Sequence, residues 1–218
     1  MTKLSTLQID TGPEPKYTII WLHGLGASGH DFEPLVPEFA FAKETPVRFI
    51  FPHAPDLAVT INGGMVMPAW YDILAMDIDR KVDANQLRES AQQVAQLIEL
   101  EIARGIPSEH IIVGGFSQGG AVAYELALSY TKPLGGLFAL STYFATADTI
   151  KLSDANRNIP IFVAHGSFDP VVAETLGTTA VKHLQAMGYK PEFQSYAMEH
   201  SLCLEEVRDM DVFLAKRL

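Results

Sequence analysis

The sequence predicts an α/β fold, a mainly parallel central sheet with helices on both faces, in one domain spanning residues 1–218. Three observations predict it. Short apolar or β-branched runs alternate with helical patterns along the chain, the order that builds a parallel sheet covered by crossover helices. The length fits one such domain better than two. An apolar content of 48% and a charged content of 19% are those of a globular chain with a large core.

Taken in order, residues 17–22, 48–51, 111–114, 136–140, 161–164 and 193–196 read as strands, rich in Ile, Val and Phe. Between the second and third runs, residues 56–79 hold Gly63-Gly64, Met65, Val66, Met67, Trp70, Tyr71, Ile73 and Leu74 without a clean period. Two readings stand for this excursion: a wall of a pocket, or a hydrophobic loop packed on the core. Residues 83–104 form the clearest helix. Leu87, Ala91, Val94, Ala95, Ile98 and Ile102 recur at offsets of three and four and make one apolar face. Asp83 with Gln86 resembles a capping box, and Gly105 and Pro107 stop the helix. Residues 121–128 continue as a helix after the third strand. Residues 172–187, closed by Gly188, and residues 204–218 complete the set.

Charge and cysteine content exclude several functions. The net charge is −10, and the Lys and Arg residues form no dense cluster. Nucleic acid and anionic membrane surfaces are therefore poor partners. Cys203 is the only cysteine, so no intrachain disulfide forms and a reducing, cytoplasmic setting is expected. The N-terminal residues lack the apolar core of a signal peptide. No stretch approaches the roughly 18 apolar residues of a membrane span. No His-Glu-x-x-His pattern occurs, and no metal site is expected.

The most informative motif is Gly115-Phe116-Ser117-Gln118-Gly119, set between an expected strand and an expected helix. That context suits a nucleophile elbow, in which a sharp reversal holds a serine hydroxyl above the sheet. The glycines allow strained angles and close packing. His23-Gly24-Leu25-Gly26 follows the first strand and can turn peptide N–H groups outward. The main-chain N–H groups of Leu25 and Gln118 are thus the expected oxyanion donors. His23 precedes the serine and reads as a turn-stabilising hydrogen-bonder rather than a base. Asp169 follows the strand at 161–164 and is the candidate acid; its competing role is to cap the next helix. Asp148 and Asp154 are rivals that follow no strand directly. His165 reads as structural. His200 follows the last strand and is the candidate base. Ser117, Asp169 and His200 occur in the chain order expected of this kind of hydrolase, each after a separate strand.

These residues bring out a family likeness. The chain resembles the carboxylesterase / acyl-protein thioesterase family, lysophospholipase-like enzymes with the α/β-hydrolase fold, from about residue 18 to the C-terminus. The likeness rests on Leu22-His23-Gly24-Leu25-Gly26-Ala27-Ser28-Gly29, Pro52-His53-Ala54-Pro55, Ala69-Trp70-Tyr71-Asp72, the elbow with Gly120, His165-Gly166 with Asp169-Pro170-Val171-Val172, and His200 before the terminal helix. It implies a serine nucleophile backed by an Asp–His pair, no cofactor, and an acyl-binding groove. The substrate is then a small-molecule or protein acyl ester or thioester. Trp70, Ile73, Leu74, Val171 and Val172 are the expected groove residues, and a homodimer is compatible with the sequence. Glu199 departs from the family pattern, which has glycine there in many relatives. The competing reading is a non-catalytic ligand-binding protein on a hydrolase fold, which would keep the pocket and lose a triad member. A cysteine hydrolase is a poor fit, because Cys203 lies only three residues from His200.

Overall fold

The computed structural model describes residues 4–75 and 81–218. In chain order the elements are β1 (Thr6–Asp10), β2 (Tyr17–Leu22), α1 (Phe41–Glu44), β3 (Val47–Pro52), β4 (Asp56–Val59), β5 (Met65–Pro68), β6 (Ile73–Ala75), β7 (Lys81–Val82), α2 (Ala84–Ala103), β8 (Ile111–Phe116), α3 (Gln118–Ser129), β9 (Gly136–Leu140), β10 (Ile161–Gly166), α4 (Glu174–Ala186), β11 (Glu192–Tyr196) and α5 (Leu204–Ala215). Seven strands form the main sheet in the order β1-β3-β2-β8-β9-β10-β11. Every pairing in it is parallel except β1 with β3.

Alternation along the buried strands divides the core in two. Ile20, Leu22, Ile111 and Val113 face the layer of α2, α3 and α4, where they meet Leu87, Val94, Ile98, Val122 and Leu184. Ile19, Trp21 and Ile112 face the other way, toward Phe213 of α5 and the aromatic residues of the segment after β2. Trp21 stacks on Phe32 at 4.7 Å and meets Phe138 edge-on at 5.1 Å. Both faces of the sheet are therefore covered, which is why these strands read as continuous apolar runs.

Several elements differ from the sequence reading. β1 escapes it because it is an antiparallel edge strand with alternating exposure and no apolar run. The excursion holds a hairpin, β4 paired with β5, turned at Gly63 (φ 66°) and Gly64 (φ 79°). Residues 76–79 of that excursion lie outside the described residues. α4 begins at Glu174 rather than at 172, because the Val171 and Val172 N–H groups both donate to Asp169 Oδ1 in a tight turn. α5 ends at Ala215. The expected capping box at α2 is half formed. Asp83 Oδ1 accepts from the N–H groups of Asn85 and Gln86 at 3.0 Å. Gln86 Oε1 instead accepts from the Asp72 N–H at 2.8 Å, while the Asp83 N–H donates to Asp72 O. The helix start is thus stitched to the excursion. No helix among the described residues is long and apolar enough to cross a membrane.

Candidate active site

Ser117 stands between β8 and α3 with φ 54° and ψ −122°, a conformation that costs a non-glycine residue on the order of 1–3 kcal/mol. The surroundings enforce it. The Ser117 N–H donates to Leu140 O at 2.9 Å, and Thr142 Oγ1 donates to Ser117 O at 2.6 Å. A Cβ at Gly119 would lie 2.6 Å from the carbonyl oxygens of Leu22 and His23, and one at Gly115 would lie 2.4 Å from the Gly119 backbone. Glycine at both positions lets α3 start directly against β2.

The three residues separated in sequence meet at the carboxyl ends of β8, β10 and β11. Ser117 Oγ lies 3.0 Å from His200 Nε2, and His200 Nδ1 lies 2.6 Å from Asp169 Oδ2. A carboxylate only accepts, so it places the His200 proton on Nδ1 and leaves the Nε2 lone pair toward the serine hydroxyl. Asp169 is nearly buried, and its other oxygen takes the N–H groups of Val171 and Val172 at 2.8 Å each. Both of its oxygens are thereby fixed. The Phe116 ring packs against the His200 ring, with centroids 4.7 Å apart and planes tilted by 42°. Asp148 and Asp154 sit exposed on the surface, and Asp154 pairs with Arg157.

Two other histidines at strand ends, His23 and His165, have structural partners. His23 is fully buried; its Nδ1–H donates to Gly24 O at 2.7 Å, and its Nε2 accepts from the Ala54 N–H at 3.1 Å. His165 Nε2–H donates to Val172 O at 2.7 Å and lies 3.6 Å from Asp169 Oδ2. Burial lowers the pKa of both, which keeps them neutral. Cys203 caps α5, its Sγ accepting from the Glu206 N–H, and does not line the site.

A cavity of about 490 Å³ opens over Ser117 and His200. Leu25, Phe32, Leu35, Ile61, Ile73 and Val171 supply its apolar walls. Of the five expected groove residues, Ile73 and Val171 line it and three do not. Trp70 is fully buried, because its indole N–H donates to His23 O at 2.8 Å and its ring packs in the core. Val172 is buried in the core beside Asp169. Leu74 points outward and is 47% exposed. The excursion thus follows both readings at once: Trp70 and Tyr71 are core, whereas Ile61 and Ile73 form a wall. Sequence reasoning missed Phe32 and Leu35, which lie in short helical turns at 29–38 that carry no long period. It also missed Thr142, whose contribution is one hydroxyl.

Fold and site together place the molecule among the α/β-hydrolases. Residues 8–218 match the phospholipase/carboxylesterase family, and the chain belongs to it as a serine hydrolase of ester bonds. Acyl-protein thioesterase 1 of Neurospora crassa is 41% identical over 212 residues, covering 92% of this chain and 86% of the relative. Acyl-protein thioesterase 1 of Gibberella zeae is 36% identical, covering 99% and 97%. Among solved structures, acyl-protein thioesterase 2 of Zea mays superposes with a TM-score of 0.86 at 29% identity, covering 98% of each chain. Arabidopsis thaliana SOBER1 gives 0.86 at 31%, covering 92% and 98%.

Proposed function

We propose that Ser117, His200 and Asp169 act as a catalytic triad that cleaves carboxylic esters or thioesters through an acyl-enzyme. The observation that carries the reading is the unbroken chain from Ser117 Oγ through the His200 ring to the nearly buried Asp169 carboxylate. His200 Nε2 accepts the hydroxyl proton as Ser117 Oγ attacks the acyl carbonyl carbon. Asp169 holds the tautomer and stabilises the imidazolium that forms. The main-chain N–H groups of Leu25 and Gln118 receive the developing oxyanion. His200 then protonates the departing alcohol or thiol. A water molecule, deprotonated by the same ring, releases the acid.

The apolar cavity beside Ser117 suits an acyl chain, and the relatives' names direct the reading toward thioesters of acylated proteins. A single cysteine without a disulfide partner fits a cytoplasmic enzyme. The test is a fluorophosphonate probe followed by peptide mapping, together with a panel of oxygen esters and thioesters of matched acyl groups. The proposal expects labelling confined to Ser117 and turnover that Ser117→Ala abolishes. Labelling elsewhere, or none, would overturn it.

A further inference from the structure

Trp70 lies outside the cavity, yet all three of its polar groups are committed. Its indole N–H donates to His23 O at 2.8 Å. Its main-chain N–H donates to Gln118 Oε1 at 2.8 Å, and its carbonyl accepts from Ser90 Oγ. Gln118 Nε2 completes a clasp by donating to Tyr71 O at 2.6 Å. Two residues upstream of Trp70, Pro68 O accepts from the Gly26 N–H at 2.8 Å. The segment 68–71 is therefore bonded to the loop at 23–26 on one side and to Gln118 on the other. These are the two places that supply the proposed oxyanion donors.

The peptide planes show what the clasp does. In a trans peptide the C=O and N–H point in opposite directions. Gly24 O is drawn inward by the His23 Nδ1–H and the Ala27 N–H, so the Leu25 N–H faces away from the His23 ring. The preceding peptide, His23–Gly24, is fixed through His23 O by the Trp70 indole. The chain supplies its own comparison, since the equally buried indole N–H of Trp21 has no partner among the described residues. Burial alone thus does not demand this bond.

We infer that the Trp70 indole is a positioning group for the oxyanion hole, setting the orientation of the Leu25 N–H through His23 O, while the contact to the Gln118 side chain is made by the main chain of residue 70. This inference rests on the hydrolase reading. A residue of this kind acts on the tetrahedral state and not on ground-state binding, so its loss lowers kcat and leaves KM alone. Removing an oxyanion donor costs about 10² to 10³ in kcat, and misorienting one costs less.

The experiment replaces the indole N–H while keeping an apolar ring, with Trp70→Phe and with the sulfur isostere benzothienylalanine at position 70. The isostere keeps the volume if the phenyl ring leaves a void. Phe49→Leu, in the other core layer, serves as the control for general loosening. We expect kcat to fall about 10- to 100-fold with KM within about threefold. Affinity for a trifluoromethyl ketone, which forms the tetrahedral adduct, should fall by the same factor as kcat/KM. The role is refuted if both Trp70 variants keep kcat within about twofold of the parent. It is equally refuted if Phe49→Leu, at equal loss of Tm, reproduces the fall. Fluorophosphonate labelling separates the two levels. A parent labelled at Ser117 whose Trp70 variants keep full kcat refutes only the positioning role. A parent that is not labelled refutes the hydrolase reading itself.

Discussion

At the scale of single residues, the proposed triad can be tested by removing a few atoms without touching the backbone that holds them. Ser117→Ala removes Oγ and keeps the backbone bonds to Leu140 and Thr142. Turnover should drop about 10⁴- to 10⁶-fold with circular dichroism unchanged. Activity within tenfold of the parent would contradict the assignment. Asp169→Asn keeps the shape, but an amide can present its NH₂ to His200 and favour the wrong tautomer; a loss of about 10⁴ in kcat is expected. If Asp154→Asn had that effect instead, the acid would be misassigned. The meeting of Ser117, Asp169 and His200 was legible in the sequence because each follows a strand, and strand ends converge on one edge of a parallel sheet. Trp70 stood out in the sequence, but where its ring sits did not. An aperiodic apolar cluster does not reveal whether a ring faces a cavity or a carbonyl, and the deciding partner, His23 O, lies 47 residues away.

At the scale of elements, helices with a strong period were readable and irregular segments were not. The face of α2 is set by Leu87, Ala91, Val94 and Ile98, all buried as their spacing requires. Its start carries a testable contribution. Asp83→Ala loses both cap bonds at Oδ1, at a cost of about 1 kcal/mol. For a chain of this size that is about 2–4 °C in Tm, measured by scanning calorimetry, with kcat for a short ester unchanged. A Tm within about 0.5 °C of the parent would show that the bond from Asp83 N–H to Asp72 O holds the helix start without the side chain. The turns at 29–38 have no period to read, yet they bring Phe32 and Leu35 to the cavity. If those residues form the acyl wall, kcat/KM should rise up to about fourfold per methylene until the cavity is full, since each buried methylene contributes roughly 0.8 kcal/mol. Leu35→Ala should flatten that rise from acetyl to octanoyl esters while leaving acetyl turnover close to the parent. Parallel profiles for the two proteins would place the acyl chain elsewhere.

At the scale of the whole molecule, buried ionisable groups make stability depend on pH from two sides. His23 and His165 are held neutral by burial, their pKa values lowered from 6.5. The unfolded chain takes up protons near pH 6.5 that the folded chain refuses, so their contribution is lost as pH falls below that value. Glu206 acts in the opposite sense. It is fully buried on α5, and burial raises its carboxyl pKa from 4.5 to about 8, which the nearby Cys203 backbone only partly opposes. Above pH 4.5 the unfolded chain ionises this group while the folded chain keeps it protonated. Stability is therefore fully present below 4.5 and declines as pH rises toward 8. Glutamine matches the protonated carboxyl in shape and never ionises. Glu206→Gln should accordingly leave Tm close to the parent at pH 5 and raise it at pH 8 by about 5 °C or more. Calorimetric scans of both proteins at the two pH values decide the matter. A difference in Tm that is the same at pH 5 and pH 8 would mean that Glu206 is ionised in the folded chain, with a counter-charge or water reaching it between α5 and the sheet.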